Sequence, residues 1–142
     1  MAEQVVDSPT GWVADHIKQY VESDGKEGHD WRGVPTLLLT VVGRKTGTKR
    51  RTALIYGKDG DDYLLVASKG GAPKNPLWYE NLVANPDVEL QVGSDVFEAT
   101  ARTATAEEKE RLWPGLVEIW PDYANYQKKT DRDIPVVILT RK

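Results

Sequence analysis

Apolar and polar positions follow two rhythms along this chain. In residues 8–21, Trp12, Val13, His16, Ile17, Tyr20 and Val21 recur every three to four positions, which predicts an amphipathic helix. Ser8 is placed to cap it and Pro9 suits its first turn. Residues 23–33 are polar and carry glycine, so they read as a connector and a candidate hinge. From there the rhythm shortens. Residues 36–42 are nearly all apolar, fit for a strand buried on both faces. Residues 52–56 and 63–67 read as strands, the second preceded by a turn at Asp59-Gly60. Asn75-Pro76 and Asn85-Pro86 bracket a short helix, one pair at its start and the other at its stop.

Strict alternation then sets in. Val88, Leu90 and Val92 define one strand, Gly93-Ser94 a tight turn, and Phe97, Ala99 and Ala101 the partner strand. Thr105 and Glu108 have capping-box spacing ahead of a helix carrying Leu112, Trp113, Leu116, Val117, Ile119 and Trp120. Pro114 should kink that helix or divide it. A further short helical turn carries Tyr123, Tyr126 and Gln127, and residues 135–140 supply the last strand. Six strands with short hairpins, and helices filling the gaps, predict an α+β, mainly β protein: a mostly antiparallel barrel with helical cover. The expected organisation is an N-terminal helix and connector over residues 1–30, able to act as a lid, and a barrel domain over 31–142.

Charge changes this picture at one place. The 142 residues carry a net charge of −3, yet residues 43–51 (Gly-Arg-Lys-Thr-Gly-Thr-Lys-Arg-Arg) hold five cations and no acid, leaving −8 for the rest. Like charges so close repel, and the glycines mark a loop between two strands. The reading is an anion site for phosphate or carboxylate, with a solvated hairpin tip as the bland alternative. A second loop, Ala67-Ser68-Lys69-Gly70-Gly71-Ala72-Pro73-Lys74-Asn75-Pro76, ends a strand and opens a helix. Paired glycines leave amides open to a ligand, and the two lysines add charge. Its spacing matches neither a nucleotide-hydrolase phosphate loop nor a dinucleotide fingerprint. Two anion-friendly loops on one small barrel suggest an elongated, multiply charged ligand.

Other chemistries are excluded or weak. With no cysteine there is no disulfide, thiol nucleophile or thiolate metal site. His16 and His29 are the only histidines and neither has metal-ligand spacing, so no metal is expected. His16 falls on the apolar helix face, where packing is its ordinary role. Ser68 has no evident histidine partner for a hydrolase triad. Trp120, Tyr123 and Tyr126 are three apart, with Trp120 as much a core residue as a site residue, while the polar run around the tyrosines suggests exposure. Two exposed tyrosines beside an anion site would wall a planar ligand. Net acidity argues against nucleic acid as a partner. No apolar stretch is long enough to span a bilayer and the N-terminus lacks signal-peptide character, so a cytoplasmic location is expected. Asp15, Lys18, Gln19 and Glu22 give the N-terminal helix a mixed polar face, which allows only weak contact with the inner face of a membrane.

Taken in order, Gly43-Arg44-Lys45-Thr46-Gly47, Arg50, the run 67–82, Trp113-Pro114, Tyr123, Tyr126, Thr130-Asp131-Arg132 and Ile134-Pro135 resemble the deazaflavin (F420)-dependent nitroreductase family. The resemblance runs from about residue 31 to the C-terminus and implies a split β-barrel that binds F420, a deazaflavin ring with a ribityl phosphate and a glutamate tail. It implies that Arg44, Lys45, Thr46 and Arg50 bind phosphate and tail. The strand Arg51-Thr52-Ala53-Leu54-Ile55 would run beside the ring, and Val66, Ala67, Ser68 and Lys69 would edge it with backbone groups. Gly70, Gly71, Ala72, Asn75 and Pro76 would complete that loop. Leu77, Trp78, Tyr79 and Asn81 would close the far side, and Tyr123 would approach from the C-terminal turn. The implied activity is hydride transfer from reduced F420 to a small activated acceptor: an enone, a quinone or a nitroaromatic. Ser68 and Tyr126 would donate hydrogen bonds to the acceptor oxygen, and Trp120, Tyr123, Tyr126 and Ser68 would line its site. Trp120 stands where the nitroimidazole-activating relatives have tyrosine, which favours enones and quinones over such prodrugs. The competing readings are an FMN enzyme on the same barrel, a non-catalytic deazaflavin or lipid carrier, and a nucleic-acid-binding barrel. A monomer and a dimer are both compatible with the chain.

Overall fold

The computed structural model describes residues 5–7, 11–23, 25, 26, 29–31, 34–45, 47–71 and 74–142. The elements in chain order are β1 Val5–Asp7, α1 Gly11–Glu22, β2 Asp30–Trp31, β3 Val34–Val42, β4 Lys49–Ile55, β5 Gly57–Asp59, β6 Asp62–Val66, a 3-10 turn Lys69–Gly71, α2 Leu77–Ala84, β7 Asp87–Val92, β8 Asp95–Thr103, α3 Ala106–Ile119, α4 Asp122–Lys129 and β9 Val136–Arg141. All six expected strands are present. Three short ones are added (β1, β2 and β5), and β2 lies in the segment expected to be only a connector. Their two or three residues are too few to show a period, and their pairing is set by tertiary contact.

Hydrogen bonding orders the sheet β1-β4-β3-β7-β8-β9-β6-β5, with β2 pairing β3 off that path. All pairs are antiparallel except β1 with β4. The sheet curls until β4 approaches β6 without bonding to it. That gap is the split of the barrel. The interior is filled by Leu37, Leu39 and Val41 of β3, Leu65 of β6, Leu90 of β7, Ala99 of β8 and Leu139 of β9, with Leu82 of α2 closing one end. A second core joins α3 and α4 to the outer face of β6 and β9 through Leu112, Leu116, Tyr123 and Ile138.

The register decides where the cations go. Leu37 pairs with Leu54, Leu39 with Thr52 and Val41 with Arg50, so these share the interior face of β3 and β4. Leu38 pairs with Ala53, Thr40 with Arg51 and Val42 with Lys49, on the opposite face. There Ile17 and Tyr20 of α1, both fully buried, pack on Leu38 and Ala53. Burying Ile17 alone is worth roughly 1.5–3 kcal/mol, so α1 is a docked element. The expected helix start at Ser8 and Pro9 lies outside the described residues. Val21, expected on the buried face, is exposed.

Three local expectations are corrected. The basic segment is not a loop throughout: the turn closes with Gly43 N–H on Thr48 O at 2.8 Å, and Lys49, Arg50 and Arg51 already belong to β4. Pro114 does not divide its helix, since α3 runs unbroken through it. Asn75 does not cap α2: Pro76 stands at the cap position, and the Asn75 side chain is bound elsewhere. The Thr105–Glu108 capping box forms as expected. Glu108 also takes both arms of the Arg102 guanidinium at 2.7 Å, and chiefly that hydrogen bonding holds its carboxyl at about 2.

Candidate active site at the barrel split

A cleft of about 400 Å³ opens where β4 and β6 diverge, a volume in the range of small-molecule sites. Its walls come from five directions. Ala53, Leu54 and Ile55 supply one side, Val66, Ser68 and Lys69 another, and Pro76 and Trp78 a third. Trp120, Tyr123 and Tyr126 face them from the α3–α4 corner. Thr36 and His16 complete the wall at α1. Eleven of these thirteen residues are among the expected site residues; His16 and Thr36 are not.

The aromatic corner is built by packing. Tyr123 is buried, contrary to the exposure expected of it, with its ring 6.3 Å from both Trp113 and Tyr126. The polar run around it covers only the outer side of α4. Burial, with Tyr126 beside it, raises the Tyr123 pKa, so its hydroxyl stays protonated across the physiological range. Trp120 caps the end of α3, and its indole N–H donates over a long 3.5 Å contact to the Tyr126 hydroxyl oxygen. An indole nitrogen only donates, so the Tyr126 O–H proton is directed to another acceptor.

The α1 wall is built by hydrogen bonds. The Thr36 hydroxyl donates to His29 O at 3.0 Å, which commits its only proton. Its oxygen lies 3.4 Å from His16 Nε2, a long hydrogen-bond contact that ties α1 to β3. Tyr20 ties the layer down: its hydroxyl donates to Thr36 O at 3.1 Å and accepts Gly93 N–H at 2.6 Å. Sequence reading assigned His16 to packing because the helix period places it on the apolar face. Only the register that sets Thr36 opposite Ile55 shows that this face also borders the split.

The third wall is held in an unusual conformation. Lys69 has φ 46°, the one non-glycine residue with positive φ among those described. That costs roughly 1–2 kcal/mol. Arg132 sits behind it. One guanidinium arm donates to Ala67 O at 3.2 Å and to Asn75 Oδ1 at 2.8 Å, and the other to Ser68 O at 2.7 Å. In the sequence Arg132 stood only within the Thr130-Asp131-Arg132 motif, with no role of its own. Gly71, at φ 84°, packs against α4: a Cβ there would lie 2.7 Å from Tyr126 O and 3.0 Å from Lys129 Cβ.

The remaining expected residues lie off the cleft. Arg44 projects from the turn toward α2: its amide donates to Asn81 Oδ1 at 3.1 Å, and its guanidinium lies 3.5 Å from Glu80. Asn81 is therefore buried as a tie between α2 and the turn. Tyr79 bonds Thr103 of β8 at 2.8 Å, and Leu77 is exposed. Lys45 is exposed. Arg50 and Arg51 point to opposite faces of β4, so the five cations do not converge on one point. Ala67 and Gly71 support the cleft from behind. Thr52 pairs with Leu39 on the interior face, and Gly70 lies inside the 3-10 turn. Thr46 and Ala72 lie outside the described residues. Trp78 on the cleft and Asn81 at the turn are three residues apart on α2, about one helical turn of ~5 Å. Among the described residues no three His, Asp or Glu side chains could hold a metal. No described helix is long and apolar enough to cross a membrane.

The fold recurs among solved structures. One, a heme storage protein of Vibrio cholerae, matches at 15% identity with TM-score 0.59, which establishes the shared fold alone. Much nearer is an F420-H2 dependent reductase (FDR-A), at 48% identity and TM-score 0.69, covering 74% of this chain and 93% of that one. A domain-swapped dimer matches at 45% identity and TM-score 0.72, covering 93% and 99%. An F420H(2)-dependent quinone reductase of Mycobacterium tuberculosis is 47% identical over 131 residues, 89% of this chain and 88% of that protein. The family model described as F420H(2)-dependent quinone reductase matches residues 12–141. The chain belongs to the F420H(2)-dependent quinone reductase family.

Proposed function

We propose that the protein is an F420H2-dependent oxidoreductase that passes hydride from reduced deazaflavin to a small activated acceptor, with quinones and enones as its substrate class. Family membership supports the activity and the cofactor. The observation that carries the site is one cleft, walled by apolar strand residues on one side and hydroxyl-bearing aromatics on the other. The residues fit the cofactor: the ring suits the space between β4 and the Trp78 wall, and Lys69 and Arg44 supply positive charge for an acidic arm laid along α2. When bound, reduced F420 supplies a hydride.

The chain's own residues do the rest. Ala53, Leu54, Ile55 and Val66 exclude water from the reacting face. Trp120 and Tyr123 hold a planar acceptor in place, and placement accounts for much of the rate. As an acceptor gains negative charge on oxygen, the Tyr126 and Ser68 hydroxyls donate hydrogen bonds to it. The Trp120 N–H on the Tyr126 oxygen polarises that O–H further. Within residues 1–30, α1 covers the cleft through His16, while Ile17 and Tyr20 of α1 and the pairing of β1 with β4 fasten the segment to the barrel. A dimer that exchanges a segment is part of this reading, supported by a 45% identical structure that is a domain-swapped dimer.

The test is an assay of reduced F420 oxidation against menadione, cyclohexenone and a nitroaromatic. Rapid oxidation with the first two is expected. Tight F420 binding without oxidation by any acceptor would point to a carrier, and equal binding of FMN would remove the deazaflavin assignment.

A further inference from the structure

We propose that Arg132 is a positioning residue that aims the backbone amides of Ser68 and Lys69 into the cleft. The inference rests on the deazaflavin reading for what those amides bind, but its geometry stands apart from it. Arg132 takes two successive carbonyls, Ala67 O and Ser68 O, with separate arms of one rigid guanidinium. No peptide in the described residues is cis. In a trans peptide the N–H points opposite to the C=O. Fixing those two carbonyls toward Arg132 therefore turns the Ser68 and Lys69 amides away from it, and both residues line the cleft that Arg132 does not. Neither amide donates a backbone hydrogen bond elsewhere among the described residues. Gly71 N–H also donates to Ser68 O at 2.9 Å, and Ala67 N–H to Pro135 O at 2.9 Å, so both flanks of the pair are pinned. The third contact, to Asn75 Oδ1, ties the same guanidinium to the chain leading into α2.

This explains why a non-glycine residue adopts positive φ at position 69. The clamp holds the strained conformation, and the conformation presents two adjacent donors to an electron-rich edge, such as the carbonyls of a deazaflavin pyrimidine ring or an acceptor oxygen. A lysine at 132 would keep the charge but could not span two carbonyls and an amide with a planar fork.

The experiment compares wild type, Arg132→Lys and Arg132→Ala without ligand by amide NMR, then titrates each with F420. In Arg132→Ala the Ser68 and Lys69 amide resonances should shift while the barrel resonances stay in place, and F420 affinity should fall about tenfold or more. Arg132→Lys should resemble it. Guanidinium ion at sub-denaturing concentration should restore both readouts in Arg132→Ala, and ethylammonium should not. Unchanged Ser68 and Lys69 resonances would overturn the proposal, as would lost affinity with no guanidinium rescue. Global loss of dispersion in both variants would likewise assign Arg132 to folding alone. If wild type itself fails to bind F420 while the amide shifts and their rescue appear, the cofactor reading fails and the positioning role survives.

Discussion

Gly71→Ala should abolish most F420 binding while leaving the barrel folded. The substitution meets two penalties at once. Its φ of 84° costs an alanine roughly 1–2 kcal/mol, and the added Cβ would sit 2.7 Å from the Tyr126 carbonyl oxygen, a backbone atom that cannot rotate aside. Relief requires the Lys69–Gly71 turn and α4 to separate. That separation moves the Ser68–Lys69 wall and the Tyr126 wall apart together. Affinity should fall at least about tenfold, equivalent to ~1.4 kcal/mol, measured by deazaflavin fluorescence quenching. Gly60→Ala is the control: its φ is 60°, but nothing lies within 4 Å of its Cβ and it is remote from the cleft. It should lose stability alone, read as a lower melting temperature with unchanged affinity. Equal losses of affinity in both variants would mean that backbone strain, not the packing of the turn on α4, is the cause.

Tyr126→Phe should lower turnover about 100-fold with F420 affinity nearly unchanged, because its hydroxyl is proposed to act on the charge that develops in the acceptor. That loss is ~2.7 kcal/mol of barrier. The effect should appear in kcat with a quinone acceptor and not in the fluorescence titration. Trp120→Phe should also lower turnover, since it removes the N–H that donates to Tyr126 and trims the wall that holds the acceptor. Wild-type turnover in Tyr126→Phe would remove this hydroxyl from the chemistry and leave Ser68 as the donor to examine.

The fold was legible because its signals are local. Alternation in residues 88–92 and 97–101, the glycine turns at Gly60 and Gly93, and the Thr105–Glu108 box each depend on neighbours in sequence, and each formed. The cleft was legible where the motif residues also line it, at Ser68, Lys69, Trp78, Trp120, Tyr123 and Tyr126. What sequence concealed is long-range. Arg132 acts on Ala67 and Ser68 some 65 residues away, and no spacing rule connects them. His16 looked like packing because one helix face serves both the core and the split. The basic segment looked like a single loop because lysine and arginine hide a strand's alternation as readily as they mark a turn. In the structure β4 divides Arg50 from Arg51 by face. The cationic cluster is thus a turn and the start of β4, with Arg44 tied to α2 through Asn81.

In the proposed function that turn and the start of β4 hold the acidic end of an elongated cofactor whose ring lies in the split. Its most direct test is the affinity of the Arg44→Gln/Lys45→Gln/Arg50→Gln variant for F420 and for a deazaflavin lacking phosphate and glutamates, at low and high salt. F420 affinity should fall about 100-fold at low salt and lose most of its salt dependence, while the tail-less ring should bind wild type and variant alike. F420 affinity unchanged by the triple substitution would rule out these cations as the site of the acidic tail.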